Sequence, residues 1–120
     1  MLQHSSACLI PGPVFAVAFS RSQWVLLDTE HSPTGPKDVF DQLLALDRSE
    51  HTTPIVRPPW NDSVEFKKLL DIGARTLLVP YVSTVEEAEA AVARVRYPTG
   101  GMRGVAGDCG RHCPFPSISV

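Results

Sequence analysis

Cysteine is scarce in this 120-residue chain: there are three, an odd count. Cys8, Cys109 and Cys113 show no disulfide-framework spacing, which fits a reducing compartment, the cytoplasm, better than a secreted scaffold. Charge of one sign is equally thin. Eleven Lys and Arg face 13 Asp and Glu, a net of −2, and no run of like charge reaches the about five residues of an interaction tail. The expectation is no nucleic-acid partner. No apolar stretch approaches the roughly 18 residues of a membrane span, so no membrane partner is expected either. The first twenty residues are apolar, but no Lys or Arg precedes that stretch and Pro11 and Pro13 interrupt it, which argues against an export signal. What is present is 43% hydrophobic and 20% charged, enough to bury a modest core, and this excludes wholesale disorder. The length allows one domain.

From Trp24 to Tyr97 one pattern occurs three times: a short apolar run rich in β-branched residues, a polar or proline-bearing turn, then an amphipathic helix. The first run is Trp24 to Asp28, and its helix opens at Pro36, whose missing N–H is not needed at that position. Val39, Phe40, Leu43 and Leu44 are expected to cover one face of it. The second run is Thr53 to Arg57. Asp62 is placed to cap the following helix while Glu65 reaches back, Phe66, Leu69 and Leu70 supply the buried stripe, and Gly73 suits the left-handed residue beyond the end. The third run is Thr76 to Pro80. Its helix opens on the capping box Thr84 to Glu87 and is expected to bury Val85, Ala88, Val92 and Val95 until Tyr97-Pro98 stops it.

Such alternation predicts an α/β fold with parallel strands covered on both faces. Ligands bind at the carboxyl ends of such strands. That rim carries Asp28, Arg57 and Pro80, with Glu30, His31 and Trp60 in the loops beyond. Residues 1–22 form a divergent N-terminal segment in which only Val14 to Phe19 could be a strand, residues 23–107 form the β/α domain, and residues 108–120 show no helical or strand period.

His31 beside Asp28 and Glu30 is a natural general base, because a carboxylate orients the ring; the competing reading is a solvated loop histidine with Asp28 as a local cap. Arg57 ends an apolar strand and needs a partner for its fork of donors, either a substrate carboxylate or enolate, or simply Asp28 or Glu30. Asp71, late in a helix where a carboxylate opposes the local dipole, is either an exposed charge or a partner for a group such as His31. Arg103-Gly104 after Gly100-Gly101 could bind an anion, but the Lys-Ser/Thr of a P-loop is absent. Cys109, His112 and Cys113 lack the second ligand pair of a structural zinc site, and His4, Cys8 and His51 are isolated.

Four blocks, WVLLDTEHSP (24–33), IVRPPWND (55–62), LLDIGARTLLVPYV (69–82) and RYPTGGMRGV (96–105), resemble in order and spacing the HpcH/HpaI family of class II pyruvate aldolases. The resemblance covers about residues 24–107. It implies a partial TIM (β/α)8-type barrel of about three to four β/α units, a divalent metal (Mg²⁺, Mn²⁺ or Co²⁺), and reversible cleavage of a 4-hydroxy-2-oxo acid to pyruvate and an aldehyde, in a homo-oligomer. By motif position it implies that His31 is the acid/base, paired with Asp71, that Arg57 steadies the keto or enolate oxygen, and that Pro80 lines the substrate. Asp28 would hold metal-bound water, and Glu30 would stand outside the direct ligands. Those ligands, a Glu and an Asp on later strands, lie beyond the matched region.

A typical TIM barrel has roughly 250 residues, so the pattern fills well under half of one. Its abrupt loss at both ends is what a truncated, frameshifted or mis-spliced frame would produce, with weak or no activity for the chain alone. Two other functions fit the same residues: a non-catalytic partial barrel that assembles with itself or a full-length paralogue, and a small anion-binding domain using Arg57 and Arg103.

Overall fold

The computed structural model describes residues 23–47, 49 and 52–105. Two strands, β1 (Trp24–Asp28) and β2 (Thr53–Arg57), pair in parallel with Trp24 opposite Thr53 and Asp28 opposite Arg57. The connection between them is α1 (Pro36–Leu46). It is followed by α2 (Ser63–Asp71) and α3 (Val85–Val95).

Strand alternation divides β1 between two environments. Val25 and Leu27 join Val56 in one cluster with Val39, Leu43 and Leu46 of α1, Leu69 of α2 and Ala74. Trp24, Leu26 and Asp28 take the opposite face, where Leu26 and Asp28 are also buried. This double burial is why β1 reads as a nearly continuous apolar run.

Two helix faces differ from expectation in an instructive way. On α1 the buried residues are Val39, Gln42, Leu43 and Leu46, an i, i+3, i+4, i+7 stripe. Phe40 and Leu44, expected in that stripe, are exposed, because each is rotated by one residue away from it. On α3 only Ala91 is buried, whereas Val85 is 69% exposed and Ala88 and Val92 also face outwards. The apolar stripe exists, but among the described residues no element covers it.

The caps follow local sequence closely. Asp62 accepts hydrogen bonds from the N–H of Val64 (2.8 Å) and Glu65 (3.3 Å), while Thr84 and Glu87 exchange the reciprocal pair of a capping box at 3.2 and 3.1 Å. Glu65 does not reach back as expected; its Oε1 takes Lys68 Nζ at 2.8 Å. Gly73 ends α2 at φ 105°, the left-handed region that suits glycine.

The third apolar run is the larger correction. Instead of a five-residue strand it forms one parallel bridge, Val56 to Leu77, in which Val56 N–H donates to Thr76 C=O and Leu78 N–H to Val56 C=O, both at 2.9 Å. Pro80 has no N–H to extend the ladder, and Tyr81 at φ 56° turns the chain away. Beyond α3 the chain folds back on the helix end: Met102 N–H donates to Ala93 C=O (2.8 Å) and Arg103 N–H to Arg96 C=O (2.9 Å). Only glycine fits position 101 of this return, since a Cβ there would lie 2.3 Å from the Arg96 carbonyl oxygen.

Candidate active site

Parallel register places Asp28 and Arg57 side by side at the carboxyl ends of β1 and β2. The Arg57 fork then closes on the Asp28 carboxylate, with Nε donating to Oδ1 at 2.9 Å and Nη2 donating to Oδ2. Asp28 is almost fully buried and Arg57 largely so. Its guanidinium holds the Asp28 carboxyl below the ordinary value of 3.8, reinforced by main-chain donors and opposed by burial, while Asp28 in turn holds the Arg57 pKa above its usual value.

Asp28 also folds its own loop. Oδ1 accepts the N–H of Glu30 (2.9 Å) and of His31 (3.3 Å), and the Ser32 hydroxyl donates to the Asp28 carbonyl. The turn swings Glu30 back over the strand ends, so that Oε2 lies 3.3 Å from Arg57 Nε and Oε1 lies 3.3 Å from His31 Nε2. Thr29 secures the neighbouring strand end: its N–H and hydroxyl both donate to the Arg57 carbonyl, at 3.0 and 2.7 Å. The result is a continuous line His31, Glu30, Arg57, Asp28 running from solvent to interior. His31, with 64% of its side chain exposed, is the end that a dissolved molecule meets.

Both structural readings of Arg57 hold together, since it pairs with Asp28 and Glu30 at once. Asp71 is placed elsewhere. It closes α2, where its Oδ1 accepts Arg103 Nη2 at 2.8 Å, and the imidazole of His31 pairs with Glu30 instead. The Arg103 side chain lies within the fold, the residue being only 7% exposed, and its guanidinium sits 4.6 Å from the Tyr97 ring centroid. That answers the Asp71 dipole conflict with a buried cation, and the arginine that could bind an anion turns Nη2 to Asp71 instead. Cys8, Cys109, His112 and Cys113, with His4 and His51, lie outside the described residues.

Two aromatic rings complete the rim. Trp60, in the loop after β2, packs on Tyr81, which follows Pro80 on the third run; the ring centroids are 4.1 Å apart at an interplanar angle of 33°. Tyr81 gave no signal as a site residue in sequence, because its left-handed backbone is invisible there. For a bulky residue that conformation costs on the order of 1–3 kcal/mol.

The described residues do not fit a directly bound metal. No three His, Cys, Asp or Glu among them are placed so that they could hold a metal ion together. A carboxylate offers about four acceptor sites, and Asp28 already takes two donors of Arg57 and two main-chain N–H groups.

These features define a partial TIM-type barrel whose ionisable residues gather on its carboxyl rim. Comparison with known proteins gives the family: residues 14–111 match the HpcH/HpaI aldolase/citrate lyase model, and the chain belongs to that family. The match takes in residues 14–22 and 108–111, which the sequence blocks alone left in the flanks. The chain is 60% identical over 84 residues to a hydroxypyruvate/pyruvate aldolase of Sagittula stellata, covering 70% of this chain and 33% of that protein. It is 52% identical over 101 residues to a pyruvate aldolase of Rhizobium etli, covering 82% and 39%. Among solved structures, an HpcH/HpaI aldolase/citrate lyase family protein from Burkholderia cenocepacia superposes with a TM-score of 0.78 at 35% identity, over 82% of this chain and 41% of that one. The chain thus spans about a third of the length of the curated relatives it matches.

Proposed function

We propose that this rim is the proton-transfer and anion-holding side of a pyruvate-type aldolase, acting on a 4-hydroxy-2-oxo acid to give pyruvate and an aldehyde. The carrying observation is the line from exposed His31 through Glu30 to the Arg57–Asp28 fork. Relatives named as pyruvate aldolases support the substrate class.

In this reading His31, oriented by Glu30, takes the proton of the C4 hydroxyl as the C3–C4 bond breaks, and the bonding pair passes to the 2-oxo unit as an enolate. Aldehyde leaves, and a proton delivered to C3 yields pyruvate. Arg57 has five N–H donors, of which Asp28 takes two. The rest can hold the oxygen on which negative charge develops. Pro80 lines the substrate side. We place Asp71 in a positioning role, through its hold on Arg103 and the end of α2. For the divalent metal of class II aldolases (Mg²⁺, Mn²⁺ or Co²⁺), Asp28 and Glu30 are outer-shell residues at most.

The test is pyruvate added to the 120-residue chain in D2O with Mg²⁺ or Mn²⁺, followed by NMR. Shifts of the Glu30 and His31 amides that vanish in Arg57→Met are expected, with slow or undetectable exchange of the pyruvate C3 protons. Absence of any shift at tens of millimolar pyruvate would remove the reading, and rapid exchange would overturn the expected weakness of the chain alone.

A second reading, a non-catalytic partial barrel that assembles with itself or a full-length paralogue, is favoured by the exposed apolar stripe of α3. Sedimentation separates the two: a stable dimer supports it and a monomer does not.

A further inference from the structure

The rim line explains how an oxo acid's charged end is held, and it leaves the Trp60–Tyr81 pair unused. Trp60 lies three residues beyond Arg57, and Tyr81 four beyond Leu77, the residue bridged to Val56. The two rings therefore rise from the carboxyl ends of adjacent parallel segments, on the same edge as Arg57. Trp60 is 55% exposed and Tyr81 52% exposed, so the pair rests on the surface and not in the core cluster. An apolar wall beside a fixed cation is the usual make-up of a site for a small organic acid.

We propose that the Trp60–Tyr81 pair is the surface on which the substrate carbon chain lies beyond its 2-oxo acid end, and that Tyr81 sets the preference for an extended apolar tail over a bare methyl group. The assignment rests on the reading of Arg57 as the oxo-acid anchor. Its backbone supports the choice of Tyr81 over Trp60 as the selective element: at φ 56° the ring is held over Trp60 by a conformation that bulky side chains seldom adopt.

The experiment uses the whole chain, with calorimetry for affinity and Trp60 emission, in a Trp24→Phe background, to locate the ligand. Pyruvate and 2-oxo-4-phenylbutanoate are the two probes. The phenyl compound is expected to bind about tenfold more tightly and to change Trp60 emission. Tyr81→Ala should abolish that tenfold advantage while leaving pyruvate affinity within about twofold, and Tyr81→Phe should restore it. Tyr81→Gly removes the ring and the backbone strain together, so it keeps the test open if the alanine variant folds poorly. An unchanged ratio between the probes in both ring-deleted variants would overturn the proposal while sparing the anchor. If neither probe binds the parent chain, the anchor reading fails and the proposal with it.

Discussion

The β1–α1–β2 half and the segment from Thr76 to Val105 are written in the same grammar, yet they are packed very differently. In the first, β1 is covered on both faces and the α1 stripe is buried against it. In the second, the run shrinks to one bridge and the helix buries only Ala91. Capping cannot explain the contrast, since α3 has the more complete cap. The difference lies in neighbours: an apolar stripe becomes core only where another element lies against it.

That contrast is open to direct attack. The largest effect is expected from Leu46→Ala, which empties a fully buried site in the α1 stripe and should cost about 4 kcal/mol in urea unfolding; a loss below about 1 kcal/mol would show that the first half is not tightly packed. Next is Arg57→Met. It strands a buried carboxylate and should cost about 3 kcal/mol at neutral pH. Because Asp28 is held below 3.8 in the folded chain, the stabilisation from the fork is present above that pH and is lost as pH falls through the lower folded value. The gap between wild type and variant should therefore narrow on acidification, and a gap that stays constant as the pH is lowered would argue for a packing effect instead.

A smaller effect is expected at the caps. Asp62→Ala should cost about 1 kcal/mol of global stability, whereas Thr84→Ala should mainly speed amide exchange within α3, because the helix can fray without opening the core. Equal global losses would erase the distinction between the two regions. The smallest effect belongs to Val85→Ser, which should leave stability within about 0.5 kcal/mol. A loss of 2 kcal/mol there would mean that the α3 stripe is covered in solution, as the assembly reading requires.

The family and the strand ends were readable in sequence from four spaced blocks, and Asp28, His31 and Arg57 were placed on one rim by strand ends alone. The partner of His31 was not. Motif position pointed to Asp71, forty residues away, but the Asp28 turn brings Glu30 to the imidazole, and Arg103 takes Asp71. Buried stripes were half legible: the helical period located them, but with Val39, Phe40, Leu43, Leu44, Ala45 and Leu46 all apolar on α1 it did not separate the Leu46 side from the side of Phe40 and Leu44.

Sequence by itself determined what operates within one turn of chain. Pro36 opening α1, Asp62 and Thr84 as caps, and Gly73 at positive φ each depend on groups within about four residues. Tertiary structure alone decided the rest. Asp28 meets Arg57 across 29 positions only through strand register, Asp71 meets Arg103 across 32 only through the return after α3, and Trp60 meets Tyr81 only because β2 and the bridged third run lie side by side. Bonds of that span depend on where the backbone is carried, and no local pattern encodes it.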